Sequence, residues 1–374
     1  MTLLQDEINN ARMHVHTDSY PMSIGELVNL YEDGELDIHP EFQRLYRWTN
    51  EQKSKLIESI LLGIPLPSIF VAQRQDGVWD VVDGLQRIST ILSFLGKLKC
   101  PEHKLLEPLK LESTKYLPSL KGKVWDSKES PEDEIDIEIK RVFKREKLDI
   151  KIIKRESEED TKYELFQRLN TGGTKLSDQE VRNCMLLMIN SDGYELLKSL
   201  ALNADFIATV PISDKQTEEC YAQELVLRFL VQRNSDQKTR KEHSDVRPYL
   251  DAELIRLFSN NSIIDFDTER HIFDKSFSLM NNALGEDVFK KYNISKEKYE
   301  GAISILIYEL IVVGVSRLVE CAQKSDEEII ELIKLKSIEL ISHPLFINTM
   351  EKRIRPVDRM VVMSELGLEL FCED

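Results

Sequence analysis

The chain has 374 residues, of which 41% are hydrophobic and 31% charged, with a formal net charge of −16. That length suits about two domains with sizeable cores. The negative balance excludes a protein that coats nucleic acid through its net charge, because such affinity comes from Lys and Arg neutralising phosphates.

No run of about 18 apolar residues is present to cross a bilayer, and Leu3 and Leu4 are followed by acidic Asp6 and Glu7, unlike a secretory leader. The five cysteines (Cys100, Cys184, Cys220, Cys321 and Cys372) are scattered and form no CxxC pair. They argue for reduced thiols in a cytoplasm and against structural zinc.

Residues 1–12 have the form of a short amphipathic helix with Leu3, Leu4 and Ile8 on one side. Met13 to Thr17 alternates like a strand and puts His14 and His16 on one face; with no third ligand nearby, surface histidines are favoured over a metal site. Ser23-Ile24-Gly25-Glu26 fits a capping box, whose helix turns Ile24, Leu27, Val28 and Tyr31 to a core before Gly34. The segment Ile38 to Trp48 is dense in Gln, Arg and aromatics. It leads to a second box, Thr49-Asn50-Glu51-Gln52, whose helix buries Leu56, Ile57, Ile60 and Leu61 and stops at Gly63, ahead of Pro65 and Pro67. Ser68 to Ala72 reads as a strand turning through Asp76-Gly77 into a second one that ends at Val82.

At that point the period changes. Ile88, Ile91, Leu92 and Leu95 follow helical spacing, so Asp83 and Gly84 occupy a strand-to-helix turn. A helix starting there points unpaired N–H groups outward at the positive end of its dipole, the physical basis of a phosphate site. Gln86 and Arg87 add donors, and Arg87 can grip a phosphate by two hydrogen bonds. The other reading is a plain helix start, with Asp83 as its cap and Arg87 a solvated first-turn residue.

From Leu98 to about Asp136 the pattern loosens, with Leu106, Leu109, Leu117, Leu120 and Trp125 as scattered anchors, and reads as a long insertion over the surface. Next comes a basic cluster: Lys140, Arg141, Lys144, Arg145, Lys147, Lys151, Lys154 and Arg155. It is either a solvated face or, set against the acidic whole, a nucleic-acid contact. Leu148 to Ile153 reads as a strand, followed by a helix from about Glu158 to Leu169. That helix ends at Asn170, and Gly172 and Gly173 allow either a close backbone approach to a ligand or an ordinary helix stop. A third box, Ser177-Asp178-Gln179-Glu180, opens a helix carrying Arg182 and Asn183.

Beyond residue 190 the pattern is almost wholly helical, with helices expected over Cys220 to Gln232, Pro248 to Phe258, Thr268 to Leu284, Lys296 to Ala322, Asp326 to Ile341 and Arg355 to Leu370. A small basic patch, Lys352, Arg353, Arg355 and Arg359, suits helix ends. The expected domains are 13–190, with the insertion at about 98–136, and 191–374.

Three blocks together resemble the N-terminal domain family of GmrSD-type modification-dependent restriction systems. They are FQRLYRW followed by KLIESILLGIPLPSIFV, then VVDGLQRISTILSFL, then ELFQRLNTGGTKLSDQEVRN. One position departs from the family's DGQQR pattern, since Leu85 stands where the first Gln is usual. The resemblance implies an α/β (α+β) domain of ParB/sulfiredoxin-like fold, followed here by an all-α helical domain.

The resemblance also implies that the DGxQR turn binds a nucleoside triphosphate (GTP or ATP, with Mg²⁺) and couples its hydrolysis to DNA restriction or antiphage defence. On that pattern Asp83, Gln86 and Arg87 act in catalysis. The backbone from Gly84 through Leu85 to Gln86 cradles phosphate, Arg87 neutralises developing charge, and Asp83 holds Mg²⁺ or orients water. Gln43, Arg44, Arg168, Asn170, Gly172 and Gly173 close the pocket from other sides. Arg168 and Arg182 have a structural alternative, pairing with Glu164 or Glu180.

The chain has no GxxxxGK[ST] loop, so hydrolysis must use this different cradle. The seven histidines (His14, His16, His39, His103, His243, His271 and His343) do not form an HNH-type metal site. DNA cutting therefore calls for a separate nuclease subunit, and an oligomer is compatible with the pattern. The rival expectation is a non-catalytic sensor of DNA or a phage component using the same anion pocket. In that reading Lys140, Arg141, Lys144, Arg145 and Lys151 face nucleic acid.

Overall fold

A computed structural model describes residues 4, 16–38, 48–74, 76–100, 104–127, 130–154, 177–234, 242–259, 263–321, 323–351 and 354–372. The chain divides into two units, residues 1–175 and 176–374. The helix opened by the third capping box thus falls in the second unit, earlier than the expected boundary at 190.

The first unit is a mixed α/β layer. Its elements are β1 (Thr17–Ser23), α1 (Ile24–Glu32), β2 (Leu36–Asp37), α2 (Asn50–Leu61), β3 (Ile69–Gln73), β4 (Trp79–Asp83), α3 (Leu85–Phe94), α4 (Ile137–Arg145) and β5 (Lys147–Ile153). The sheet order is β1-β5-β3-β4-β2. The β3–β4 hairpin is antiparallel, as the Asp76-Gly77 turn predicts, whereas β5 returns parallel to β3 with Ile150 beside Ile69. β1 closes that side antiparallel to β5, and it starts at Thr17, the last residue of the strand expected over 13–17. Residues 13–15 and the helix expected near 158–169 lie outside the described residues.

The capping boxes act at the level of local structure. Thr49 and Gln52 satisfy each other's N–H groups at the start of α2. At α1 only half a box forms, because Ser23 accepts from Glu26 N while the Glu26 carboxylate accepts from the Tyr20 hydroxyl at 2.9 Å.

The 98–136 insertion is irregular, as expected, but it does not lie over the surface. Leu109, Leu111, Leu120, Trp125 and Ile135 are buried in the same core as Ile57, Ile88 and Phe94. The Phe94, Trp125 and Phe143 rings meet with centroids 5.4–5.6 Å apart. Two polar side chains of α2 anchor its backbone. Ser54 Oγ accepts from Glu112 N at 2.8 Å, and Glu58 Oε1 accepts from Tyr116 N at 2.8 Å and Leu117 N at 2.9 Å. A scatter of leucines looks like loop when read locally, and only their convergence makes it core.

The second unit is helical: α5 (Asp178–Ile189), α6 (Ser191–Ala201), α7 (Ala204–Thr209), α8 (Asp214–Glu218), α9 (Tyr221–Asn234), α10 (Val246–Phe258) and α11 (Phe266–Leu284) precede a short hairpin, β6 (Lys291–Asn293) and β7 (Lys298–Glu300). Then follow α12 (Ile305–Cys321), α13 (Asp326–Glu339), α14 (Pro344–Glu351) and α15 (Pro356–Cys372). The hairpin corrects the helix expected from Lys296 to Ala322, which begins only at Ile305. Helices α12 and α15 touch through glycine: a Cβ on Gly367 would lie 2.2 Å from the Leu310 carbonyl oxygen. No helix among the described residues is long and apolar enough to cross a membrane.

Glu58 generates a test. Burial works against its charge, but hydrogen bonds from Thr114, Tyr116 and Leu117 outweigh that and hold its carboxyl below the ordinary value. The stabilisation is therefore complete above the unfolded carboxylate pKa and is lost as pH falls through the lower folded value. All three tryptophans (Trp48, Trp79 and Trp125) lie in the first unit, so their fluorescence follows its unfolding in urea. Glu58→Ala, which strands two backbone N–H groups, is expected to cost about 1–3 kcal/mol at neutral pH. The cost should shrink on acidification, and Glu58→Gln should lose less.

Candidate functional site

Gly84 sits at φ +99° between β4 and α3, with no side-chain cap on the helix start. A Cβ there would stand 2.9 Å from Ile69 Cγ1 and 3.2 Å from Arg87 Nη2. Glycine is thus required twice, by the backbone angle and by the close approach of β3 and Arg87. Asp83 does not cap the helix. Its Oδ2 accepts from Arg87 Nη2 at 2.8 Å, one turn on. The N–H groups at the start of α3 have no capping side chain among the described residues, which leaves them to a ligand or to water.

Arg87 is not a solvated first-turn residue either, because its side chain is only 11% exposed. Nη1 donates to the Pro67 carbonyl and, at 3.2 Å, to the Ser68 carbonyl. Those carbonyls end the Gly63 to Ser68 loop, where Pro65 and Pro67 prevent a helix. Burial pulls the Arg87 pKa down and the Asp83 carboxylate opposes it; a guanidinium remains charged throughout. The side chain fastens the β3 entry loop to the β4–α3 turn.

The Gln86 side-chain oxygen accepts from Trp48 N at 3.4 Å, which joins the end of the FQRLYRW block to the same turn. The Leu85 side chain packs against the hydrophobic core, so this residue contributes its backbone to the turn. Gln43 and Arg44, and Arg168, Asn170, Gly172 and Gly173, lie outside the described residues.

Four residues to which the sequence assigned no part in the site, Pro67, Ser68, Asp149 and Ser19, complete the arrangement. Pro67 and Ser68 supply the carbonyls for Arg87. The Ser68 hydroxyl donates to Asp149 Oδ2 at 2.6 Å, and Ser19 Oγ donates to Asp149 Oδ1 at 3.2 Å. Lys151 Nζ lies 2.8 Å from Ser19 Oγ and 3.3 Å from Asp149. The Ser68 hydrogen bond is the main cause holding the Asp149 carboxyl below its ordinary value, with Lys151 and Ser19 adding to it against burial. Asp149 carries no distinctive local signal, because it alternates with Lys147 and Lys151 along β5; its partners come from β1 and from the residue before β3 and were invisible to local pattern.

The basic cluster separates into three parts. Lys140 is buried, with Nζ 2.6 Å from both Asp126 and Glu134 and 5.6 Å above the Trp125 ring. Burial works against its charge, but the two carboxylates raise its pKa. It is a structural cation rather than part of a nucleic-acid surface. Lys151 is engaged as described, and Lys154 pairs with Asp18 at 3.2 Å. Arg141, Lys144 and Arg145 are exposed on α4, followed by exposed Lys147.

The blocks 42–48, 55–71 and 81–95 thus converge wherever they are described. Residues 24–187 match the family model for the GmrSD restriction endonuclease, N-terminal domain. This segment belongs to that family. No curated protein and no solved structure matches the chain. The GmrSD match runs past the unit boundary and takes in most of α5, whose polar residues are satisfied within the helical unit. Arg182 donates to Asp251 Oδ1 at 2.7 Å, Gln179 Oε1 at 3.2 Å and Glu224 Oε2 at 3.4 Å. Asn183 Nδ2 donates to Gln223 at 2.7 Å. Arg182 is therefore structural, as the alternative expectation held, but with Asp251 and Glu224 as its acids; Glu180 instead completes the Ser177 capping box.

Gly84→Ala is expected to destabilise the first unit by about 1–3 kcal/mol from backbone strain alone, read as a lower urea midpoint in tryptophan fluorescence. Gly63→Ala, a positive-φ site with nothing within 4 Å of the added carbon, isolates the part owed to backbone angle. The larger loss belongs at Gly84.

Proposed function

We propose that this chain is the NTP-binding and NTP-hydrolysing regulatory subunit of a prokaryotic DNA-restriction or antiphage defence system, working in the cytoplasm with a separate nuclease. The match of residues 24–187 to the GmrSD restriction endonuclease N-terminal domain supports a restriction context. The observation that carries the nucleotide reading is the Gly84 turn, an uncapped helix start beside a carboxylate and an immobilised arginine. A ParB/sulfiredoxin-like classification of the first unit is the finer fold reading that accompanies it.

In this reading the backbone N–H groups from Leu85 onward receive the phosphates, and Arg87 supplies fixed positive charge beside them. Phosphoryl transfer proceeds through a loose transition state, so preorganised charge and position are most of what a protein contributes. Among the described residues no group of three His, Cys, Asp or Glu side chains could hold a metal. In this reading a Mg²⁺ would be carried mainly by the phosphates, with Asp83 as its protein ligand, directly or through water. Such an ion would neutralise phosphate charge. Asp83 otherwise orients Arg87 or an attacking water.

Phosphate release from GTP and from ATP, with and without DNA, tests the proposal. Asp83→Asn is expected to lower turnover by about 10²-fold in protein that tryptophan fluorescence shows still folded, with a lower urea midpoint because Arg87 loses the carboxylate that compensates its buried charge. Unchanged turnover in that variant would overturn the catalytic assignment. The exposed Arg141, Lys144, Arg145 and Lys147 on and just after α4 favour a second reading, a DNA-binding sensor without turnover. Nucleotide binding with no phosphate release, and DNA affinity that weakens with salt and with Arg141→Ala/Arg145→Ala, would select it.

A further inference from the structure

We infer that Asp149 is a positioning residue for Arg87, acting through Ser68 although the two side chains are not paired with each other. Ser68 is bonded from both sides. Its carbonyl accepts from Arg87 Nη1 at 3.2 Å, and its hydroxyl donates to Asp149 Oδ2 at 2.6 Å. Asp149 is itself fixed by β5, whose next residue, Ile150, is the ladder partner of Ile69 at the start of β3. Ser19 from β1 and Lys151 hold its carboxylate from the other side.

A hydrogen bond to an ionised carboxylate is roughly twice as strong as a neutral one. The charge on Asp149 thereby sets where the Pro67 and Ser68 carbonyls stand. Those carbonyls and Asp83 together define the plane of the Arg87 guanidinium. The consequence is specific: the fifth residue of the DGLQR turn is oriented from a strand more than 60 residues further along the chain, outside the three sequence blocks that mark the family.

The functional consequence rests on the nucleotide reading above, but the positioning itself does not, and the two are separable by experiment. A double-mutant cycle of Asp149→Asn and Arg87→Ala, followed by tryptophan fluorescence in urea, reads the positioning directly. Independent sites give unfolding constants that multiply. Here the double variant is expected to differ from that product by about fivefold or more, and a cycle with Ser68→Ala in place of Asp149→Asn should show the same sign. A control cycle of Asp149→Asn with Arg74→Ala, at the β3–β4 turn, should multiply within about twofold.

Binding of mant-GTP and mant-ATP with Mg²⁺ then reads the consequence. Asp149→Asn and Ser68→Ala should each weaken nucleotide binding by about tenfold, whereas Ser68→Thr, which keeps the hydroxyl, should restore it. Multiplicative cycles for both pairs would overturn the inference. So would full affinity in Ser68→Ala and Asp149→Asn when the wild type binds nucleotide. A wild type that binds neither nucleotide sinks the functional reading alone, and the cycles still decide whether Asp149 positions Arg87.

Discussion

The first unit turns on one guanidinium. Arg87 leaves the first turn of α3 and meets Asp83 from β4 and two carbonyls from the loop entering β3. A hairpin and a helix that are adjacent in sequence are thereby locked to a loop that precedes both. The arrangement has a steric condition, since the space it uses is the space a side chain on residue 84 would fill. A buried arginine with three described acceptors is tolerable because its charge is compensated and its donors are directed; one lacking them would be strongly destabilising. The same geometry explains why Asp83 is not a helix cap. Its oxygen is already committed, and the N–H groups at the start of α3 are left uncovered as a result.

Buried charge recurs elsewhere among the described residues, held by polar partners. Lys140 serves Asp126 and Glu134 over the face of Trp125, Glu58 serves the backbone of the insertion, and in the helical unit Arg182, Arg228 and Arg233 each meet carboxylates from other helices. Such groups add little net stability compared with well-packed apolar ones, but leaving one partner alone is costly. They specify which elements meet. This bears on the family segment as well: its last helix, α5, spends Gln179, Arg182 and Asn183 on the helical unit. The GmrSD N-terminal match therefore covers a sheet domain together with a helix whose polar face is completed by the residues that follow it.

Local chemistry was legible wherever a residue's role depends on near neighbours in the chain. The Thr49 and Ser177 boxes, the Asp76-Gly77 hairpin, the alternation of β5 and the strand-to-helix switch at Gly84 all rest on contacts within about four residues, and the structure places them where the pattern does. The Lys296 to Ala322 segment failed for the same reason in reverse. Its apolar run extends a helical period, while the β6–β7 pairing that displaces the start depends on cross-strand partners, Tyr292 with Tyr299 among them.

The sequence by itself determined that a glycine-bearing turn leads into a helix with a free start, that the blocks around it belong to the GmrSD N-terminal family, and that the latter half is helical. Tertiary structure alone decided what the polar residues in and between those blocks are for. Arg87 faces the Ser68 carbonyl and Asp83, Lys140 lies in the core, and Asp149 stands behind Ser68, because a side chain's partner is set by which strands become neighbours. Sheet order β1-β5-β3-β4-β2 joins residues more than a hundred positions apart, and no local periodicity carries that information.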